Sequence, residues 1–99
     1  MQSVTDYLPK DEILAQLAEE AAELAQAALK YRRALTDINP TPVSEKSARE
    51  ALVEETADVL LCLSLSGVSI SGRNEDTRVI GQIMRQKNRR WLDRLAEDI

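Results

Sequence analysis

A chain of 99 residues makes one small domain, and its lack of Phe, with one Trp and two Tyr, leaves Leu, Ile, Val and Ala to build the core. The formal net charge of −4, from 13 basic and 17 acidic residues, excludes a general nucleic-acid-binding surface, which needs cations to neutralise phosphates. The first residues lack the basic and apolar regions of a signal peptide, and the run Val59 to Leu65 is far too short for a membrane span. The single cysteine, Cys62, lies inside that run and forms no disulfide framework, so the expectation is a cytoplasmic protein with no membrane partner.

Gly and Pro number three each, and no stretch alternates apolar and polar residues as a strand would. The expected fold is all-α, a single domain over residues 1–99. After a lead-in closed by Pro9, a first helix is predicted from about Lys10 to Leu35. Ile13, Leu14, Leu17, Ala21, Leu24 and Ala28 mark its apolar face. Gln16, Glu20 and Glu23 form a polar stripe beside that face, interrupted by Ala27 and resumed at Lys30. Asn39-Pro40-Thr41-Pro42 stops this helix and holds the chain extended. Ser44 is a candidate N-cap for a second helix running to about Ser66, with Ser47 and Glu50 as a competing capping box. Its second half, Val59 to Leu65, is apolar on almost every side and is expected to be buried all round. Gly67 to Asn74 reads as a loop with two glycines available for tight turns. A third helix is predicted from about Glu75 to Ala96, with Ile80, Ile83, Met84, Trp91 and Leu95 on one face and Lys87 among them. Lys87 reads equally as a snorkelling side chain or as an ammonium aimed at an anion, in a segment that also holds Arg85, Arg89, Arg90 and Arg94. Trp91 is assigned to core packing, with stacking on a base as its alternative.

Two acidic clusters carry the chemistry: Glu19-Glu20-Ala21-Ala22-Glu23 and Glu54-Glu55-Thr56-Ala57-Asp58. Residues three apart share a helix face, so Glu20 pairs with Glu23, and Glu55 with Asp58. Either pair alone reads as the solvated face of an ordinary helix. Together, with Glu55 and Asp58 at the mouth of an apolar segment, they form a cage of carboxylates that repel one another unless a cation lies among them. The chain has no histidine. All-oxygen ligands suit Mg²⁺, with Mn²⁺ as a substitute, rather than zinc or a Glu-x-x-His di-iron site. Mg²⁺ shares its shell with substrate phosphates, so a nucleoside polyphosphate is the fitting ligand. The three glycines are too few and wrongly spaced for a phosphate-cradling loop, and without His no Ser-His-Asp arrangement exists.

Glu20-x-x-Glu23 followed by Glu55-x-x-Asp58, with Glu19 and Glu54 beside them, resembles the MazG-type nucleotide pyrophosphohydrolases of the all-α NTP pyrophosphatase superfamily. The likeness spans roughly Asp11 to Leu95. Thirty-one residues lie between Glu23 and Glu55, at the long end for that family. The resemblance implies a three-helix subunit that completes a four-helix-bundle core by homo-oligomerisation, as a dimer or tetramer. It also implies Mg²⁺-dependent cleavage of a (d)NTP to the monophosphate and pyrophosphate, in the service of nucleotide-pool house-cleaning. Carried over by position, Glu20, Glu23, Glu55 and Asp58 are the metal ligands, and Glu19 with Glu20 act on the attacking water. Lys87 and Arg90 contact phosphate, as Lys30 does more loosely. Trp91 joins them on the substrate side. Two rival readings stand beside this one: a pyrophosphohydrolase of the phosphoribosyl-ATP type, and a non-catalytic helical dimerisation or adaptor module.

Overall fold

The computed structural model of the protein describes residues 2–36, 38–40 and 42–97. Three α-helices account for most of them: α1 (Lys10–Thr36), α2 (Glu45–Ser66) and α3 (Glu75–Glu97). No strand occurs among the described residues, and no helix there is long and apolar enough to cross a membrane. The chain divides into two compact units, Met1–Gly67 and Val68–Ile99.

The first unit opens with a 3₁₀ turn, Val4–Asp6, that the sequence reading treated as plain lead-in. Ser3 caps it: the Ser3 side chain accepts from the Thr5 N–H, and the Asp6 carboxylate accepts from the Ser3 N–H at 2.8 Å. The Pro9 carbonyl then accepts from Glu12 and Ile13, which starts α1 at Lys10 as expected. Asp37 and Thr41, which belong to the connection assigned to Asn39-Pro40-Thr41-Pro42, lie outside the described residues. Ser44 rather than Ser47 caps α2, its hydroxyl accepting from the Ser47 N–H at 3.1 Å. At the other end α2 stops on Gly67, whose φ of 100° only glycine adopts without strain.

Helices α1 and α2 pack as an antiparallel hairpin, and the phase of that packing differs from the predicted one. Every residue of α1 that is at least half-buried falls on one row: Ile13, Leu17, Glu20, Leu24, Ala27, Tyr31 and Ala34. The spacing alternates four and three, the heptad rhythm of a coiled-coil seam. Leu14, Ala21 and Ala28, placed on the apolar face from the sequence, are exposed. In an Ala-rich helix several faces are nearly equal in hydrophobicity. The face that wins is the one offering Ile13, Leu17, Leu24 and Tyr31 to a partner, even though it takes Glu20 with it. The matching row on α2 is Ala48, Leu52, Glu55, Val59, Cys62 and Ser66. Thus each seam carries one glutamate.

The apolar segment Val59–Leu65 is not buried all round. Val59, Cys62, Leu63 and Leu65 are covered, whereas Leu60 and Leu61 are 43% and 57% exposed. One neighbouring helix can cover only one side of another, so the chain leaves part of this segment without apolar cover.

The second unit begins with a loop tied by side chains. Asn74 caps α3, its side-chain oxygen accepting from the Thr77 N–H at 2.9 Å, while its amide donates to Ser69 Oγ and to the Ser71 carbonyl, both at 2.8 Å. Asp76 accepts from the Ser69 N–H, and Gly72 takes a positive φ of 82°. Along α3, Ile83, Met84, Trp91 and Leu95 are exposed, Trp91 by 62%, so the packing role assigned to Trp91 is not fulfilled within the described chain.

Candidate metal centre

The seam explains how two acidic pairs come together. Glu20 and Glu55 occupy seam positions, which turns both side chains toward the space between α1 and α2. Glu23 and Asp58 follow three residues on, one turn along the same faces. The result is a quartet in which Glu20, Glu23, Glu55 and Asp58 each place one carboxylate oxygen within 4.8 Å of the others. Glu20, Glu55 and Asp58 are half-buried and Glu23 is exposed.

Charge repulsion in this quartet is visible at Glu20. Gln16 Nε2 donates to Glu20 Oε1 at 2.8 Å, which by itself favours the ionised form. Partial burial and the neighbouring Glu23 and Asp58 charges outweigh that bond and raise the Glu20 carboxyl above its ordinary value. Glu55 shows the same shortage of partners in another form. Its Oε2 is shut off from solvent and finds no hydrogen-bond partner among the described residues. A buried acceptor without a donor is costly, and a cation would satisfy it. The donor set is entirely carboxylate oxygen, the preference of hard divalent ions. On charge, ligand type and the orphaned Glu55 oxygen, the four residues fit Mg²⁺ or Mn²⁺.

A shallow cleft of about 330 Å³ adjoins the quartet, lined by Glu23, Gln26, Ala27, Lys30, Ala51 and Glu55. Ala27, read from the sequence as a gap in the polar stripe, is 5% exposed and forms part of the cleft floor. Lys30 is an exposed cation that lines the same cleft as Glu23 and Glu55. Glu19, next to Glu20 but rotated off the seam, is exposed. The remaining sequence candidates lie in the second unit. There Lys87, Arg90, Trp91 and Arg94 share a cleft on α3.

Cys62 belongs to this neighbourhood and was read from the sequence only as a core thiol. It is 7% exposed, and burial pushes its thiol upward, reinforced by the Glu20 and Asp58 charges. The signal was present in the spacing, since Cys62 lies one turn beyond Asp58. Gln16 was visible as a member of the stripe, but its role as donor to Glu20 was not. The lining role of Gln26 and Ala51 had no sequence signal.

No protein-family model matches the chain, and neither does any curated protein or solved structure.

Proposed function

We propose that this protein is a divalent-cation-dependent nucleoside triphosphate pyrophosphohydrolase, releasing pyrophosphate and leaving a nucleoside monophosphate. The observation that carries the reading is the quartet itself: four carboxylates from two helices, one oxygen of each within 4.8 Å of the rest, two of them at positions an apolar seam would give to Leu or Val. The resemblance of Glu20-x-x-Glu23 and Glu55-x-x-Asp58 to the MazG-type motifs supplies the reaction class.

Glu20, Glu23, Glu55 and Asp58 would hold Mg²⁺, which when bound would neutralise triphosphate charge and polarise a phosphoryl oxygen. The chain's own residues supply the rest. Gln16 fixes the orientation of Glu20 through the 2.8 Å bond. In the absence of a cation the Glu20 carboxyl stands above its ordinary value, and a bound Mg²⁺ would favour its ionised form. Glu19, exposed and next to Glu20 in the chain, is the candidate that would orient the attacking water and take its proton. Lys30 offers its ammonium to phosphate oxygens across the cleft. By the same resemblance Lys87 and Arg90 would be phosphate contacts, and Trp91 is the candidate for stacking on a base; all three lie on α3 in the second unit. An assembly of two or four copies would complete the bundle that α1 and α2 begin.

The test is pyrophosphate release from the common NTPs and dNTPs, each with Mg²⁺ and with EDTA. Mg²⁺-dependent release from one or a few of them is the expected outcome and would name the base preference. Release that persists in EDTA, or none from any nucleotide, would contradict the reading. In the second case the helical adaptor becomes the better account.

A further inference from the structure

We propose that the cleft beside the quartet is a track for a linear phosphate chain, recognised without its base, and that Ala51 sets what the track admits. The proposal rests on the preceding reading for the cation at the quartet. It goes beyond that reading in the ligand it names, inorganic tripolyphosphate as well as a nucleotide, and in the residue it makes decisive.

The cleft follows the hairpin. On α1 its lining residues Glu23, Gln26, Ala27 and Lys30 recur at helical spacing, so they share one side of the helix. On α2 they are Glu55 and, one turn nearer the connection, Ala51. Because the helices are antiparallel, both rows lead the same way, from the acids Glu23 and Glu55 toward Lys30. Lys30 lies two turns beyond Glu23, a rise of about 10 Å. It pairs with no acid among the described residues, although Glu23 and Glu55 line the same cleft. A cation held by the acids adds a second positive centre, so the ligand that fits carries negative charge at two separated points. A single phosphate is too short to meet both ends. A chain of phosphates bound to the cation through one group reaches Lys30 with another. Gln26, exposed between the ends, offers its amide to the oxygens in the middle.

The composition of the lining decides against the base. Among the described residues it has no aromatic ring and no wall of large apolar side chains, the surfaces on which bases stack. The middle is instead two alanines, one from each helix. Ala27 is buried in the seam, whereas Ala51 is exposed. Leu forms helix nearly as well as Ala, so nothing in α2 itself requires a methyl group at position 51. A longer side chain there would stand in the track between Glu55 and Lys30.

Calorimetry on the full chain in excess Mg²⁺ tests this, with inorganic tripolyphosphate and orthophosphate as the probes. Tripolyphosphate should bind, and orthophosphate should bind at least about tenfold more weakly for want of the second charged contact. Lys30→Gln should weaken tripolyphosphate about tenfold by removing that contact, at unchanged Mn²⁺ binding. Ala51→Leu should weaken it at least as much, at unchanged helical circular dichroism and Mn²⁺ binding. Lys46→Gln removes the same charge from an exposed ion pair with Glu50 on α2, and should bind as the parent does. Equal binding of the two probes, parental affinity in Lys30→Gln and Ala51→Leu, or an equal loss in Lys46→Gln would each overturn the proposal. Pyrophosphate release from nucleotides, assayed on the same samples, keeps the two claims apart. A chain that binds tripolyphosphate by these rules and hydrolyses no nucleotide keeps the track and removes the proposed activity. Hydrolysis with parental KM in both Lys30→Gln and Ala51→Leu does the reverse.

Discussion

Glu20 and Glu55 hold equivalent places on facing helices: each sits in a heptad seam whose other positions are Ile, Leu, Val, Ala, Tyr, Cys or Ser. An acid in such a row weakens the hairpin, because its charge is partly desolvated and faces other carboxylates. Local choices that oppose the fold gather where function requires them. The two glutamates mark the candidate site for that reason, and Glu23 and Asp58 join it by helical spacing.

The first prediction concerns stability in the absence of metal. Because the Glu20 carboxyl is raised in the folded state, the folded protein binds that proton more tightly than the unfolded chain does. Ionised Glu20 therefore works against the fold at neutral pH. The penalty fades as pH falls through its elevated pKa toward the ordinary value of 4.5. Glu20→Gln, which can keep an amide partner for Gln16, should melt higher than the parent at pH 7 in EDTA. The difference should close near pH 4. Thermal melts across that range check the sign, and a Glu20→Gln protein that melts lower at pH 7 would contradict it.

A second prediction reverses that ranking under turnover conditions. Asp58→Asn and Glu55→Gln each remove a charge from the quartet and should lower kcat/KM for the preferred nucleotide by about 100-fold or more, beyond what changes outside the ligand shell cost a metal site. Helical circular dichroism should be unchanged. Steady-state kinetics at saturating Mg²⁺ measures it. Variants retaining parental rates would return the acids to an ordinary polar face.

Cys62 gives a chemical probe of the same corner. Its thiol is buried and raised, first by desolvation and then by the Glu20 and Asp58 charges, so little thiolate exists at neutral pH. Iodoacetamide should label the native protein slowly, and urea should release labelling to the rate of an ordinary thiol. Rapid modification of the native chain would place Cys62 outside the seam.

The frame of the hairpin has two separable points of weakness. Ser44→Ala removes the acceptor for the Ser47 N–H and should cost about 1 kcal/mol. Gly67→Ala forces a Cβ onto a residue at φ 100° and should cost about 1 kcal/mol or more. Urea unfolding of each variant reads both values.

Much of this frame was legible because its signals are local. Pro9, Ser44, Gly67 and Asn74 each stand at a helix end through their own backbone or side-chain chemistry, and the observed helix limits follow them closely. The acid quartet was legible for the same reason, since i, i+3 spacing fixes a shared face before any packing is known. The phase of α1 was not. With Ala at 18, 21, 22, 25, 27 and 28, several faces compete, and only the facing row on α2 decides that Ala27 and Glu20 turn inward while Leu14 and Ala28 turn out. Burial of Val59–Leu65 was overread because its composition says that cover is wanted without saying that one chain provides it. The 3₁₀ turn at Val4–Asp6 escaped because a three-residue element has no periodicity to detect.

The central claim is that the quartet is a divalent-cation site, and Mn²⁺ binding followed by electron paramagnetic resonance tests it without any choice of nucleotide. Titrating Mn²⁺ into the parent chain should suppress the six-line signal of free Mn²⁺ until the site fills, with Mg²⁺ restoring it by competition. Asp58→Asn should leave that signal close to its protein-free intensity. A parent chain that leaves the free signal untouched, or an Asp58→Asn protein that suppresses it equally well, would contradict the account.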